Sequence, residues 1–270
     1  PTERALTRRA AVAGTVLLRN APIARSSGTD LAPVLPIDAT TIRKVAVIGP
    51  NADIDRCMGG GSASLTPFGH RTLLAALTDR IGPGTTTDAA ITYEPGVRID
   101  RLTPVVHKGQ LLSPTGERGL TVTYVNGSDW TGDAVLEQPT STTLVRFFGS
   151  VPAGVDPRKF SARVEGSFVP DVDGLHTIGV VTTGPMAVAV DTGDGFEEVL
   201  ADREMTLPRS EEFFGYGSIE VTHDIECRAG VPVPIRIGFA TASGNGFAAI
   251  RVGIRSPEPV DLMDRAVAAA

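Results

Sequence analysis

The hydrophobic pattern changes character partway along the chain. Up to about residue 97 it shows helical spacing and one unbroken apolar run, whereas from about Leu120 to Ile254 it alternates. Leu6, Ala10, Ala13 and Leu17 recur at helical spacing with arginines between them, which predicts a helix over Thr2 to Asn20 with one apolar and one solvated face. Residues 21 to 41 are rich in Pro, Ser, Thr and Gly, and predict an exposed connector that ends in the docked segment VLPI. Val45 to Ile48 is an apolar run between Lys44 and Gly49, as expected of a parallel strand buried on both faces. A second helix is predicted over Thr72 to Arg80, with Gly82 as its left-handed stop, and then a short strand over Ala90 to Tyr93. Strand, loop, helix, strand is the βαβ opening of an α/β sheet.

The second region follows a period of two. Phe160, Ala162, Val164 and Phe168 alternate with polar partners, as do Val231, Val233, Ile235, Ile237 and Phe239, so antiparallel sheets with one wet face are predicted. Turn signals at Asp171 to Gly174, Thr192 to Gly195 and Ser243 to Gly246 punctuate the strands at sandwich-like spacing. Pro232 and Pro234 each lack a ladder donor, which predicts an edge position for their strand. After Pro257 and Pro259 a helix is predicted from Asp261. The expected fold class is α/β plus all-β: the opening βαβ of an α/β sandwich domain, interrupted by an antiparallel β-sandwich, with the rest of the α/β domain outside this segment.

Composition narrows the function. At 270 residues the chain suits one large or two moderate domains, and 41% hydrophobic content supplies an ordinary core. A net charge of −6 argues against nucleic acid, whose binders need a concentrated basic face. No apolar stretch approaches the ~20 residues that span a bilayer, so no membrane partner is expected. Cys57 and Cys227 fall in different expected domains, which disfavours a disulfide framework or a cysteine zinc site.

Most chemical signatures fail on inspection. The turn from Gly49 to Ile54 lacks the later glycines and the acidic partner of a dinucleotide fingerprint. Gly59 to Ser62 has no Gly-Lys-Ser/Thr, and Ser62 has neither the closing glycine nor a base for a nucleophile elbow. His70, His107, His176 and His223 never fall at ligand spacing, and Asp191 to Gly195 reads as a hairpin turn because a calcium loop would need more acidic positions. No cofactor or metal is expected.

Several stretches, in order, carry a family resemblance. AAVAGTVLLRN at residues 10 to 20, KVAVIGPNA at 44 to 52, the loop GGGSA and ITYEPG resemble the C-terminal α/β domain of glycoside hydrolase family 3, the β-glucosidase family. FSARVEGSFVPDVDGLHTIGV and EEFFGYGSIEV resemble the protective-antigen-like β-sandwich that some members carry as an insertion there. The resemblance implies α/β segments at 1–109 and 259–270 around a sandwich at 110–258. It also implies a retaining β-glycosidase that removes terminal β-linked sugars, whose two carboxyl groups stand roughly 5 Å apart across the bond. The barrel that supplies the nucleophile and the part of the α/β domain that supplies the acid are expected outside this segment. No catalytic residue is therefore nominated here, and Glu94, Glu211 and Glu212 read as turn, surface or cap groups. The alternative is a noncatalytic carbohydrate-binding or adhesin-type module; calcium-dependent lectins of that kind resemble one another in an adjacent Asp-Asp pair, which this sequence lacks.

Two stretches are candidates to line a sugar cleft. In the family the loop after the first α/β strand leans over the barrel mouth, which nominates Asn51, Arg56, Gly60, Gly61 and Ser62; glycines permit close approach and Ser62 can exchange hydrogen bonds with hydroxyls. The competing reading is a tight structural turn. Phe213 and Phe214 are nominated from EEFFGYGS, because adjacent residues of an extended segment point to opposite faces and one ring would be left for an aglycone or sugar. Against this stands a plug at the end of the sandwich. Trp130 is expected in the core or at an interface.

Overall fold

The computed structural model describes residues 2–24, 31–54, 69, 71–242 and 247–270. These form two compact units: one holds the described residues up to Val97 together with Met263–Ala270, and the other holds Arg98–Leu262.

In the first unit α1 spans Thr2–Gly14, with every residue exposed, so its apolar stripe packs on nothing described here and the helix stops short of Asn20. Strands β1 (Ile23–Ala24) and β2 (Leu31–Ala32) pair antiparallel, and the VLPI segment that follows is exposed rather than docked. Strand β3 (Lys44–Ile48) pairs in parallel with β4 (Ala90–Glu94), and α2 (Leu73–Ile81) lies between them in sequence. The predicted βαβ order is therefore present. Only Val47 of β3 is buried, against the expectation of cover on both faces, because this sheet has two strands among the described residues. Helix α2 starts where Thr72 Oγ1 accepts from the Ala75 amide at 3.1 Å, an N-cap bond. Gly82 ends it with φ of −73°, so it is not the left-handed stop expected; its amide instead donates to the Thr78 carbonyl. At the chain's end α3 (Leu262–Ala269) is tied to β4 through Arg265, which donates twice to Glu94 Oε2 at 2.9 and 2.7 Å.

The second unit is a β-sandwich. Its strands are β5 (Leu111–Leu112), β6 (Leu120–Asn126), β7 (Leu136–Thr140), β8 (Leu144–Phe148), β9 (Phe160–Phe168), β10 (Gly174–Thr182), β11 (Met186–Asp191), β12 (Phe196–Asp202), β13 (Val221–Cys227), β14 (Val233–Ala240) and β15 (Phe247–Arg255). One sheet runs β12-β11-β14-β9-β6-β7 with β5 added on β9; the other runs β13-β10-β15-β8, and all pairs are antiparallel. Alternate residues of the two inner faces make one core, including Val122, Phe160, Val164, Val188, Ile235, Ile237 and Phe239 against Ile178, Val180, Ile250 and Val252. Four aromatic rings, Tyr124, Phe147, Phe160 and Phe239, meet within it at centroid distances of 5.0 to 6.5 Å.

The proline-bearing strand is central rather than at an edge, since β14 lies between β11 and β9. Pro232 precedes the strand, and Pro234 lies beyond the β11 register, which begins at the pair Val190–Ile235. Pro234 is paired with Ser167 of β9 and has no partner in the β11 ladder. Val231 falls outside the strand as well, and is exposed. The hairpin at Thr192 to Gly195 forms as predicted, with Asp191 Oδ1 accepting from the Gly193 and Gly195 amides at 2.8 and 3.1 Å.

A clamp fixes the chain entering the sandwich. Thr103, fully buried, donates from its amide and hydroxyl to Glu220 Oε1 at 2.8 and 2.7 Å, and Glu220 in turn faces Arg251 at 3.4 Å. Gly253 is required beneath it, because a Cβ there would stand 2.2 Å from the Thr103 carbonyl oxygen.

Candidate functional site

The segment between β12 and β13 is a closed aromatic loop. Its stem is a short ladder in which the Ser210 amide donates to Gly217 and the Ile219 amide to Pro208, both at 2.8 Å. Ser218 anchors this stem to β10: its amide donates to the Thr182 carbonyl at 2.8 Å, and its hydroxyl accepts from the Thr182 amide at 3.1 Å. At the tip, Ser210 Oγ accepts from the Glu212 amide at 3.1 Å, and the Gly217 amide returns to the Glu212 carbonyl at 2.8 Å. A side chain at Gly217 would meet that carbonyl oxygen at 2.8 Å, so the turn closes this tightly only on glycine.

Inside this turn Phe213 and Phe214 take φ/ψ of 51°/45° and 61°/33°, two successive left-handed residues. The segment is thus not extended, and the opposite-face expectation for these rings does not hold. For residues with a Cβ this backbone costs roughly 1–2 kcal/mol each. The hydrogen-bonded stem and the ring packing hold it in place. Phe213, Phe214 and Tyr216 all pack edgewise on Phe247, the first residue of β15, at 6.2, 6.4 and 6.0 Å. Phe213 is half-buried, whereas Phe214 and Tyr216 are 57% and 52% exposed. Glu212 is paired with Arg101, and Glu211 is an exposed residue at the start of the turn.

Sequence reasoning found two members of this cluster and missed two. Tyr216 lay within the quoted motif, but nothing local marks Phe247 as its partner, since the contact spans the β12–β13 loop and the start of β15. Asn51 belongs to the first unit, exposed in a 3₁₀ turn over Pro50–Ala52 after Gly49 with φ of 121°. Arg56, Gly60, Gly61 and Ser62 lie outside the described residues.

Two further ionisable groups, His176 and Cys227, are buried in the sandwich. His176 is fully buried, with Nδ1 2.9 Å from the Gly174 carbonyl oxygen and its ring 5.8 Å from Phe168. Burial pushes the Cys227 thiol up to about 11, with Glu226 adding to the rise, so it stays a neutral core group. Among the described residues no group of three or more His, Cys, Asp or Glu is placed to hold a metal ion, and no helix is long and apolar enough to cross a membrane.

Trp130 is not in the core cluster. It lies on the outer face of the larger sheet over Gly238, where a Cβ would stand 2.3 Å from Cε2 and Nε1 of the indole.

Fold and loop together define a two-sheet antiparallel module with an aromatic tip. A PA14 domain model matches residues 116–259, more than half of the chain, and the chain belongs to the PA14 domain family. Similarity extends well outside that module. A probable beta-glucosidase H of Aspergillus fumigatus is 29% identical over 252 residues, covering 93% of this chain, and a beta-glucosidase of Rhizobium radiobacter is 29% identical over 261 residues, covering 95%. The chain spans 27% and 28% of the lengths of these relatives. The crystal structure of a Kluyveromyces marxianus beta-glucosidase in complex with glucose shares the fold, with a TM-score of 0.70 at 18% identity, covering 87% of this chain and 27% of that one.

Proposed function

We propose that the chain is part of a retaining β-glycosidase of glycoside hydrolase family 3, β-glucosidase-like, acting on terminal β-linked sugars of oligosaccharides or glycosides. The observation that carries this reading is the reach of the similarity. It runs through the βαβ portion as well as the sandwich, and a free-standing sandwich would have no reason to share the former with β-glucosidases. In this reading the first unit and Met263–Ala270 are parts of the family's α/β domain, and the catalytic carboxylates stand on parts of the parent outside this segment. The residues here bind and shape. Phe214 and Tyr216 present ring surface to the outer part of the substrate, held outward by the strained turn and backed by Phe247. Asn51, Arg56, Gly60, Gly61 and Ser62, in the loop after the first α/β strand, are proposed separately as substrate-binding residues.

Two carboxylates about 5 Å apart and a covalent intermediate leave the anomeric configuration unchanged. Hydrolysis of an aryl β-glucoside by the full-length parent, followed by proton NMR of the anomeric signal, should show β-glucose as the first product, while the 270-residue chain alone should show no turnover. Inversion, or no hydrolysis by the parent, would overturn the reading.

A further inference from the structure

We propose that the outer face of the larger sheet, beside Trp130, is a second carbohydrate-binding site that seats a single pyranose ring. It lies on the opposite side of that sheet from the core and is built from different residues than the aromatic loop. It therefore goes beyond the glycosidase reading and stands without it.

The sheet builds a hollow there of about 360 Å³. On this face Ala187 opposes Gly238 and Ala201 across the ladder, while Ala189 opposes Arg236 and Glu198. Small side chains on neighbouring strands leave a floor of methyl groups. Because Gly238 has no side chain, the Trp130 indole settles against the sheet and forms one wall. An apolar floor beside an indole suits the C–H surface of a sugar ring.

The rim supplies the polar part. Arg163 Nη1 donates to the Trp130 and Gly132 carbonyls at 2.6 and 3.1 Å, which ties the tryptophan loop to the sheet. Arg236 Nε stands 3.1 Å from Glu165 Oε1, with its guanidinium carbon 3.7 Å from the Phe196 ring centre. Arg203 grips Glu198 with two bonds, at 2.7 and 2.5 Å, and stands 5.8 Å from the Trp130 ring centre. Each charged group is held by another, and each keeps donors or lone pairs to spare. Such a rim offers fixed donors and fixed acceptors side by side. A hydroxyl is both donor and acceptor, and a neutral polyol satisfies both kinds without carrying a net charge into the site.

Other ligands fit less well. A phosphate or carboxylate would meet Glu165 and Glu198 as well as arginines whose charge those glutamates already offset. A peptide strand has nothing to add to, because β11 and β14 are paired on both sides.

Trp130 is the single tryptophan of the chain, so its emission reports this hollow alone. The 270-residue chain would be titrated with cellobiose, lactose and xylobiose, with sodium phosphate as an ionic control. A saturable emission change is expected with at least one sugar. Ala189→Leu, which fills the floor, and Glu198→Gln, which removes a charged acceptor, should each weaken it tenfold or more. Circular dichroism would check that both variants fold. Phe214→Ala should leave the affinity within twofold, which separates this site from the aromatic loop. The proposal is overturned if no sugar changes the emission, if phosphate gives the same change, if a folded Ala189→Leu chain binds as tightly as the parent, or if Phe214→Ala abolishes binding.

Discussion

Phe213 and Phe214 occupy backbone positions that glycine or asparagine would take without strain, and the sequence gives no warning of it. FF in an EEFFGYGS run reads as a strand piece; the turn becomes legible only when Gly217 closing on Glu212 and the anchoring of Ser218 to β10 are seen. The strain can be measured apart from the rings. Phe214→Gly and Phe214→Ala remove the same aromatic contact, but alanine keeps the left-handed penalty while glycine does not. In urea unfolding of the 270-residue chain, Phe214→Gly should be more stable than Phe214→Ala by about 1 kcal/mol. A less stable glycine variant would show that the backbone is not strained there. The placement of Trp130 was not legible for a related reason: where it sits is decided by Gly238, on a strand far away in sequence.

Among elements, the alternation of β9 and of β14 from Val233 onward was legible, as was the βαβ order, because both depend on local periodicity. Strand order was not. Pro234 suggested an edge, yet β14 is central, and Pro234 itself has no partner in the β11 ladder. The segment from Arg98 to Val106 carries no periodic pattern in the sequence. It is bound to the sandwich by the Thr103–Glu220–Arg251 cluster, and by Arg98, which donates to the Ser256 hydroxyl and the Pro257 carbonyl at 3.2 and 2.9 Å. Glu220→Ala leaves Arg251 without its carboxylate and the Thr103 amide and hydroxyl without their acceptor. A loss of about 3 kcal/mol in denaturant unfolding is expected. A change under 0.5 kcal/mol would mean that the cluster does not hold the connector.

For the whole molecule, the contrast between the two units has a consequence in solution. The sandwich has a continuous core, whereas α1 has no buried residue and β3 only one. Limited proteolysis should therefore cut first before Ile42 and leave a core that starts near Arg98, because the clamp protects the connector. A resistant first unit with a degraded sandwich would reverse that order.

The proposed role of the aromatic loop is to bind the outer part of a glycoside. Its most direct test compares two substrates in the full-length parent carrying Phe214→Ala. Loss of a ring contact of about 1 kcal/mol should lower kcat/KM for an extended β-glucoside about fivefold and leave a small aryl β-glucoside nearly unchanged, with little shift in Tm. An equal fall for both substrates together with a lower Tm would assign Phe214 to packing alone and contradict the account.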